Sequence, residues 1–370
     1  VASLSAEERT ALQDAVRRLL ADHSSESQVR ATMDTPAGYD AGLWARLAEM
    51  GVVGLMIDEA FGGVGAGPLE LETVMEEAGA ALLCSPLLAS GVVAAELMRA
   101  LGDDNANQRI LPGVAAGTTI ATVALTGDAG TWTAEAVAVT AAATGEGWRL
   151  DGAASYVLHG QNADVLLVVA HAPDGLAVFE VDPRATGVAI AALPTFDHTQ
   201  RLARITFDGA GATRLRAAGP VWEAARQAID LGLVALAGEQ AGGSRKVLAF
   251  TVDYAGARIQ FGRAIGSFQA IKHMAADLLL ESESAISAAR NAAQRLADGA
   301  PDKDAAISLA AFACADAFVT TTATSIQMHG GIAFTWVHPA HLYLRRARAD
   351  AQLFGTPAYH RERYIQQLGG

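Results

Sequence analysis

From Val221 to Arg258 the chain runs without a proline and keeps an apolar face. A single helix over that stretch would hold about 38 residues and measure roughly 57 Å at ~1.5 Å per residue. The same three- and four-residue apolar period continues through 268–296, 305–328 and 339–350, interrupted at Gly299-Ala-Pro301 and Gly330-Gly331. Antiparallel helices joined by links this short pack as a bundle, so a C-terminal four-helix bundle is expected over 216–370.

The rest of the chain has two other regimes. Over 1–117 the pattern is again helical: Ala11, Leu12, Val16, Leu19 and Leu20 recur at helical steps, as do Leu43, Leu47, Val52 and Val53. Asp40 stands where an N-cap would open a helix, and Pro68-Leu-Glu-Leu-Glu puts a proline and two acids into a first turn. The loop Glu59-Ala-Phe-Gly-Gly-Val-Gly-Ala-Gly67 is glycine-rich, but it lacks the Lys-Ser/Thr of a phosphate loop and a strand before it. Over 118–215 the period becomes two. Short β-branched runs at 119–125, 136–140, 148–150, 163–170, 176–181 and 202–207 are separated by turn signals such as Gly127-Asp, Gly145-Glu-Gly, Pro173-Asp-Gly and Asp208-Gly. The pattern indicates an α+β fold class: an N-terminal helical domain (1–117), a central antiparallel β-barrel or sandwich (118–215) and the helical bundle.

Composition excludes several functions. The net charge of −13, with no basic run longer than Arg345-Arg346, gives a nucleic acid backbone no track to follow. Cys84 and Cys314 lie in apolar contexts far apart and read as buried free thiols. The histidines show no metal-ligand spacing, so no metal site is expected. No uninterrupted apolar run reaches the ~18 residues of a membrane span. The first residues have no signal-peptide layout, which makes a reducing cytoplasm the expectation.

Three segments of the last third carry chemistry. Arg258-Ile-Gln-Phe-Gly262 breaks a long helix, so a guanidinium, the Gln260 amide and the Phe261 ring converge at a corner that can hold a pyrophosphate. A capping arginine with a packed phenylalanine is the plainer reading of that motif alone. Gln327-Met-His-Gly-Gly331 places paired glycines after a helix, where another backbone or a phosphate can approach closely. Gly355-Thr356 offers N–H groups and a hydroxyl before a last short helix.

These three blocks, in this order and near this spacing, resemble the FAD-contacting motifs of the acyl-CoA dehydrogenase family, and the likeness spans nearly the whole chain. The resemblance implies FAD as cofactor, an acyl-CoA substrate, an electron-transfer flavoprotein-like acceptor and an oligomer. Each flavin of that family lies between two chains. Arg258, Gln260, Phe261 and Gln269 would meet the adenosine-diphosphate half of a neighbour's FAD, with Gln327 and Gly331 adding contacts, and Thr356 would sit beside the flavin. In the β region the family's loop and strand against the flavin ring correspond to Leu125-Thr-Gly-Asp-Ala-Gly-Thr131 and Ala154-Ser-Tyr-Val-Leu-His-Gly160. Thr126 is retained there and can bond the ring edge. The family's tryptophan is Tyr156 and its flavin-contacting threonine is Leu158.

The catalytic base departs from the family pattern. Most of the family carries the glutamate that removes the substrate α-proton at the position of Phe354, and phenylalanine cannot accept a proton. Its backbone N–H can still polarise a thioester. Some members place the base early on the long helix, which falls here at Gly232, followed by Leu233. Asp230 and Glu239 are the acids nearby; Glu239, in a small-residue setting, is the candidate base, against an interhelical hydrogen bond or ion pair as its plainer role. Three functions are consistent with this pattern: an FAD-dependent dehydrogenase of bulky, branched or steroid-derived acyl-CoA with Glu239 or a partner's carboxylate as base, a non-catalytic subunit of a heterotetramer with a base-bearing homologue, or a homo-oligomer that binds acyl-CoA or flavin without turnover. The second matches the base-lacking subunits of bacterial steroid-degrading members.

Overall fold

The structure is a computed structural model and describes residues 4–145 and 147–369. Helices precede the sheet. Helix α1 (Ala6–His23) opens on a reciprocal cap in which Glu8 N–H donates to Ser5 Oγ (3.2 Å) and Ser5 N–H to Glu8 Oε2 (2.8 Å). After α2 (Glu26–Met33), α3 (Ala41–Glu49) starts at the expected cap, Leu43 N–H donating to Asp40 Oδ1 at 2.7 Å. Helix α4 (Pro68–Ala80) begins on its proline, as the sequence indicates. A π-helical turn, Leu88–Ala94, then runs into α5 (Ala95–Leu101), followed by α6 (Asp104–Ala115). The glycine-rich loop is structural: a Cβ at Gly63 would collide with the Ile57 carbonyl.

The described chain groups into two compact units that interleave in sequence. One consists of Thr32–Gly67 and Cys84–Gly232; the other of the residues up to Ala31, Pro68–Leu83 and Leu233 onward.

The first unit holds the sheet: β1 (Ala121–Ala124), β2 (Thr140–Thr144), β3 (Gly147–Leu158), β4 (Val165–Ala172), β5 (Gly175–Val181), β6 (Val188–Ala192) and β7 (Leu202–Arg214). Strands β4, β2, β3, β7 and β5 pair in a ring, because β5 also pairs with β4, and the ring closes into a barrel around Leu150, Val168, Phe179, Ile205 and Phe207. The antiparallel expectation needs refining: β1 pairs parallel with β4, and β2 touches β4 in parallel at Thr140 and His171. The run expected at 136–140 enters the ladder late. Val137 and Val139 are buried, but pairing starts at Thr140. Of the turn expected at 145–147, Glu146 lies outside the described residues.

The second unit is helical. Helix α7 (Val221–Ala257), which belongs to this unit from Leu233 on, has the length expected from the sequence, and α8 (Gln269–Ala297), α9 (Lys303–His329), α10 (Ala340–Asp350) and α11 (Pro357–Gln367) come after it. Helix α9 packs against α8, α10 and α11, and α4 packs against α1 and α8, so the bundle recruits N-terminal helices as well. The segment Lys303–Phe334 is long and apolar enough on average to cross a membrane, although polar residues interrupt it; 67% of its most apolar window is buried inside the protein, so core packing accounts for its composition.

The seat of α4 on α7 explains the small residues at 237–243. A Cβ at Gly238 would lie 2.8 Å from the Glu72 carbonyl oxygen, and one at Gly79 or Gly242 would collide with the carbonyls of Glu239 and Glu76 respectively. Backbone meets backbone here, and only glycine permits it. Helix α4 also buries Glu72, Glu76 and Glu77. Glu76 accepts ion pairs from Arg245 (3.3 Å) and Arg290 (2.9 Å), and Glu77 from Arg17 (2.9 Å) and Arg245 (2.8 Å). Burial, with Glu76 beside it, raises the Glu72 carboxyl well above the usual carboxylate range.

Gly242→Ala is expected to cost about 3 kcal/mol, because the helices must separate. Gly256→Ala, on an open face of the same helix, should be neutral or stabilising by up to about 1 kcal/mol. Urea unfolding of the two variants checks the contrast, and equal stabilities would refute the close seat.

Candidate functional site

In the second unit the ends of α7 and α9 are tied together. Thr251 and Ser325 share a hydroxyl hydrogen bond of 2.7 Å, and Tyr254 stacks on His329 with ring centroids 4.3 Å apart while donating to the His329 carbonyl at 3.3 Å. Arg258 lies one turn beyond Tyr254, and Gln327 and Gly331 flank His329, so the two expected corners come to one end of the bundle. The chain turns there through a hairpin, β8 (Ile259–Gln260) and β9 (Arg263–Ala264), with Phe261 at φ 52° and Gly262 at φ 79°.

The side chains at that end face outward. Phe261 is 92% exposed and meets the edge of Phe268 at 6.1 Å, and the Arg263 guanidinium lies 4.0 Å from the Phe268 ring centre. The Arg258 guanidinium and the Gln327 amide make no hydrogen bond or ion pair among the described residues. A Cβ on Gly262, Gly330 or Gly331 would meet nothing within 4 Å. These glycines are therefore not required by neighbours in this chain, and an unpaired cation beside them suits a phosphate-bearing group or a second chain. Gln260 and Gln269 are partly engaged, Gln260 Nε2 donating to the Ile259 carbonyl (2.8 Å) and Gln269 Nε2 to His273 Nε2 (2.6 Å). Thr356 Oγ1 accepts the Tyr359 N–H (3.2 Å) as the N-cap of α11. The C-terminal residues fit the adenosine-diphosphate half of an FAD.

The β region fits less well. Thr126 is buried, and its hydroxyl donates to the Thr131 carbonyl (2.5 Å) inside its own loop. Tyr156, at φ 57°, lays its ring against Gly130 and donates to the Asp128 carbonyl at 3.3 Å. Asp128 itself is held by Arg204 (2.8 and 3.0 Å) and by Ser155. Those bonds, the Arg204 guanidinium first, hold its carboxyl down at about 2. The loop is closed on itself, and its polar groups serve one another.

The base position carries no acid. Phe354 is 2% exposed, at φ 59°. Of the two roles considered for Glu239, the structure contains the ion pair: its carboxylate binds Arg346, and both side chains are buried. Arg346 also donates to the Leu83 carbonyl at 3.3 Å. A carboxylate engaged by a buried guanidinium is taken up in packing rather than open to a substrate, which argues against Glu239 as base. In the first unit Asp230 is likewise paired, with Arg226 at 2.9 Å. No local signal in the residue order marks Arg346 as the partner. Nor does one mark His360, a buried imidazole 2% exposed. Burial pushes its pKa down to about 4.

The chain belongs to the acyl-CoA dehydrogenase family. Models of that family's N-terminal and C-terminal domains match residues 6–118 and 222–369. The fold is accordingly the family's own, an N-terminal helical domain, a central β region and a C-terminal helical domain, and the family is one of oxidoreductases. The chain is 34% identical over 352 residues to the acyl-CoA dehydrogenase IpdE2 of Mycobacterium tuberculosis, covering 95% of this chain and 94% of that one. It superposes on one chain of the ChsE4–ChsE5 complex of the same species at a TM-score of 0.90, with 29% identity and coverage of 99% and 98%. It also superposes on a variant of the steroid acyl-CoA dehydrogenase Tcur3481–Tcur3483 at 0.87, with 30% identity and 98% of each chain covered.

Glu239→Leu should destabilise the fold by about 3–5 kcal/mol by taking this carboxylate away from the buried Arg346, while Glu239→Leu with Arg346→Met should recover most of the loss. A denaturant double-mutant cycle reads this, and additive losses would dismiss the pair. For His360 the folded pKa lies below the unfolded value of about 6.5, so the unfolded chain binds more protons between the two. Its stabilising effect is complete above pH ~6.5 and falls by roughly 3 kcal/mol as pH drops to ~4. His360→Leu should flatten that part of the stability–pH curve.

Proposed function

We propose that this chain is the base-lacking subunit of a heteromeric, FAD-dependent acyl-CoA dehydrogenase that acts on a bulky, steroid-derived acyl-CoA. The observation that carries the reading is the absence of a free carboxylate at either candidate base: Phe354 fills the position by which the family takes up the α-proton, and Glu239 is neutralised by Arg346. The relatives support it, since two of the similar structures are two-component assemblies by name and one is named for steroid acyl-CoA.

In this reading the exposed Arg258, Phe261 and Gln327, with the open glycines, grip the adenosine-diphosphate end of an FAD whose ring rests on a base-bearing homologue. When bound, the flavin supplies hydride acceptance. This chain's own part is to hold that cofactor. An electron-transfer flavoprotein would reoxidise the assembly, in the cytoplasm. The other reading, an enzyme complete in itself, requires Glu239 to leave Arg346 before it can accept a proton.

Produced alone, the chain should be colourless and inactive; produced with a base-bearing homologue, it should co-purify as a yellow complex that bleaches with acyl-CoA. Arg258→Ala in that complex should weaken FAD retention about tenfold, the loss of a charged hydrogen bond, with the subunits still co-eluting. A yellow protein made from this chain alone that bleaches on substrate would overturn the proposal.

A further inference from the structure

A cavity of about 1020 Å³ opens in the helical unit between α1, α2, α4, α7 and α10. Its inner wall is aromatic. Phe250 meets His329, His338 and Tyr343 at centroid distances of 5.7, 6.1 and 5.7 Å, and the two imidazoles are 4.5 Å apart. The volume is that of a pocket for a molecule of two dozen or so heavy atoms.

Backbone bonds fix both imidazole tautomers. His329 Nδ1 lies 2.8 Å from the Ser325 carbonyl and must carry a proton to donate to it, which leaves its Nε2 as an acceptor. His338 Nδ1 receives the Ala340 N–H (3.2 Å) and must be bare, so its Nε2 carries the proton. Burial lowers the pKa of both rings and keeps them neutral. Neither Nε2 has a partner among the described residues. The other polar groups of that wall are occupied, Tyr343 donating to the Ala80 carbonyl (2.7 Å) and Tyr254 to the His329 carbonyl (3.3 Å). One open donor and one open acceptor, on rings whose centres are 4.5 Å apart in that wall, match one hydroxyl group.

The rim adds a charge. Arg17 and Arg245 line it, but both are paired with Glu77, and Glu26 is paired with Arg30 (2.8 Å). Lys246 is exposed and makes no ion pair among the described residues, which leaves one uncompensated cation.

We propose that this cavity binds an amphipathic ligand, an apolar chain or ring system with a hydroxyl at its inner end and a carboxylate at its mouth. The imidazole pair reads the hydroxyl, His338 donating and His329 accepting, and Lys246 reads the carboxylate. This site is separate from the Phe354 position and does not depend on the subunit's catalytic status.

Isothermal titration calorimetry on the purified protein, alone or as its complex, with 12-hydroxydodecanoate, dodecanoate and dodecane-1,12-diol tests the assignment. The hydroxy acid should bind about tenfold more tightly than dodecanoate, the sum of two ordinary hydrogen bonds. His338→Phe should erase that difference and keep dodecanoate binding. Lys246→Gln, at an exposed position where folding is not at stake, should weaken both carboxylates about threefold and leave the diol unchanged. Equal affinity of hydroxy acid and dodecanoate, no measurable binding of any of the three, indifference to Lys246→Gln, or displacement of the hydroxy acid by ADP would each overturn it.

Discussion

The helical unit depends on how closely α4 lies on α7. At Gly79, Gly238 and Gly242 no side chain separates the two backbones, and that closeness drives the acids of α4 into the interior. Buried carboxylates are tolerable only with partners. The partners come from three helices: Arg17 from α1, Arg245 from α7 and Arg290 from α8. The α4 seat thus fixes where α1 and α8 can lie.

A few residues along α7, the small-residue segment places Glu239 in the interior as well, where Arg346 from α10 meets it. An acid that looks poised for catalysis in the sequence is here part of the frame. The chemistry of the family and the packing of this chain compete for that carboxylate, and packing has it. What remains at the cofactor end is the opposite: Arg258 and Gln327 are turned outward and unsatisfied, and the glycines beside them face open space. The candidate acids of this chain are committed to partners, whereas its outer guanidinium has none among the described residues.

Much of this architecture is legible in residue order. Helix α7 is visible because no proline interrupts it, and the caps at Asp40 and Pro68 because their chemistry is local. Strand β6 is not: Val188–Ala192 is short, half exposed and rich in alanine, and only its pairing with β7 makes it a strand. The shift at β2 has a related cause. Val137 and Val139 carry the β-branched signal, but they are buried before the ladder begins, and the paired residues Thr-Ala-Ala-Ala-Thr carry little signal of their own. The motif positions of the site are visible as sequence, whereas their satisfaction is not. Nothing near Thr126 announces that Thr131 takes its hydrogen, and nothing near Glu239 announces a guanidinium more than a hundred residues away.

The bend at residue 354 has one more implication. A non-glycine residue in the left-handed region costs on the order of 1–2 kcal/mol, and the apolar burial of the phenyl ring offsets a comparable amount. The twist of the main chain is therefore imposed by the surroundings and not chosen by the side chain. In such a place the direction of the amide and the identity of the group it carries are independent variables. A lineage of chains could exchange acid for hydrocarbon at that point, and back again, without re-aiming the peptide dipole, so gain or loss of reactivity there would leave little trace in the shape of the molecule.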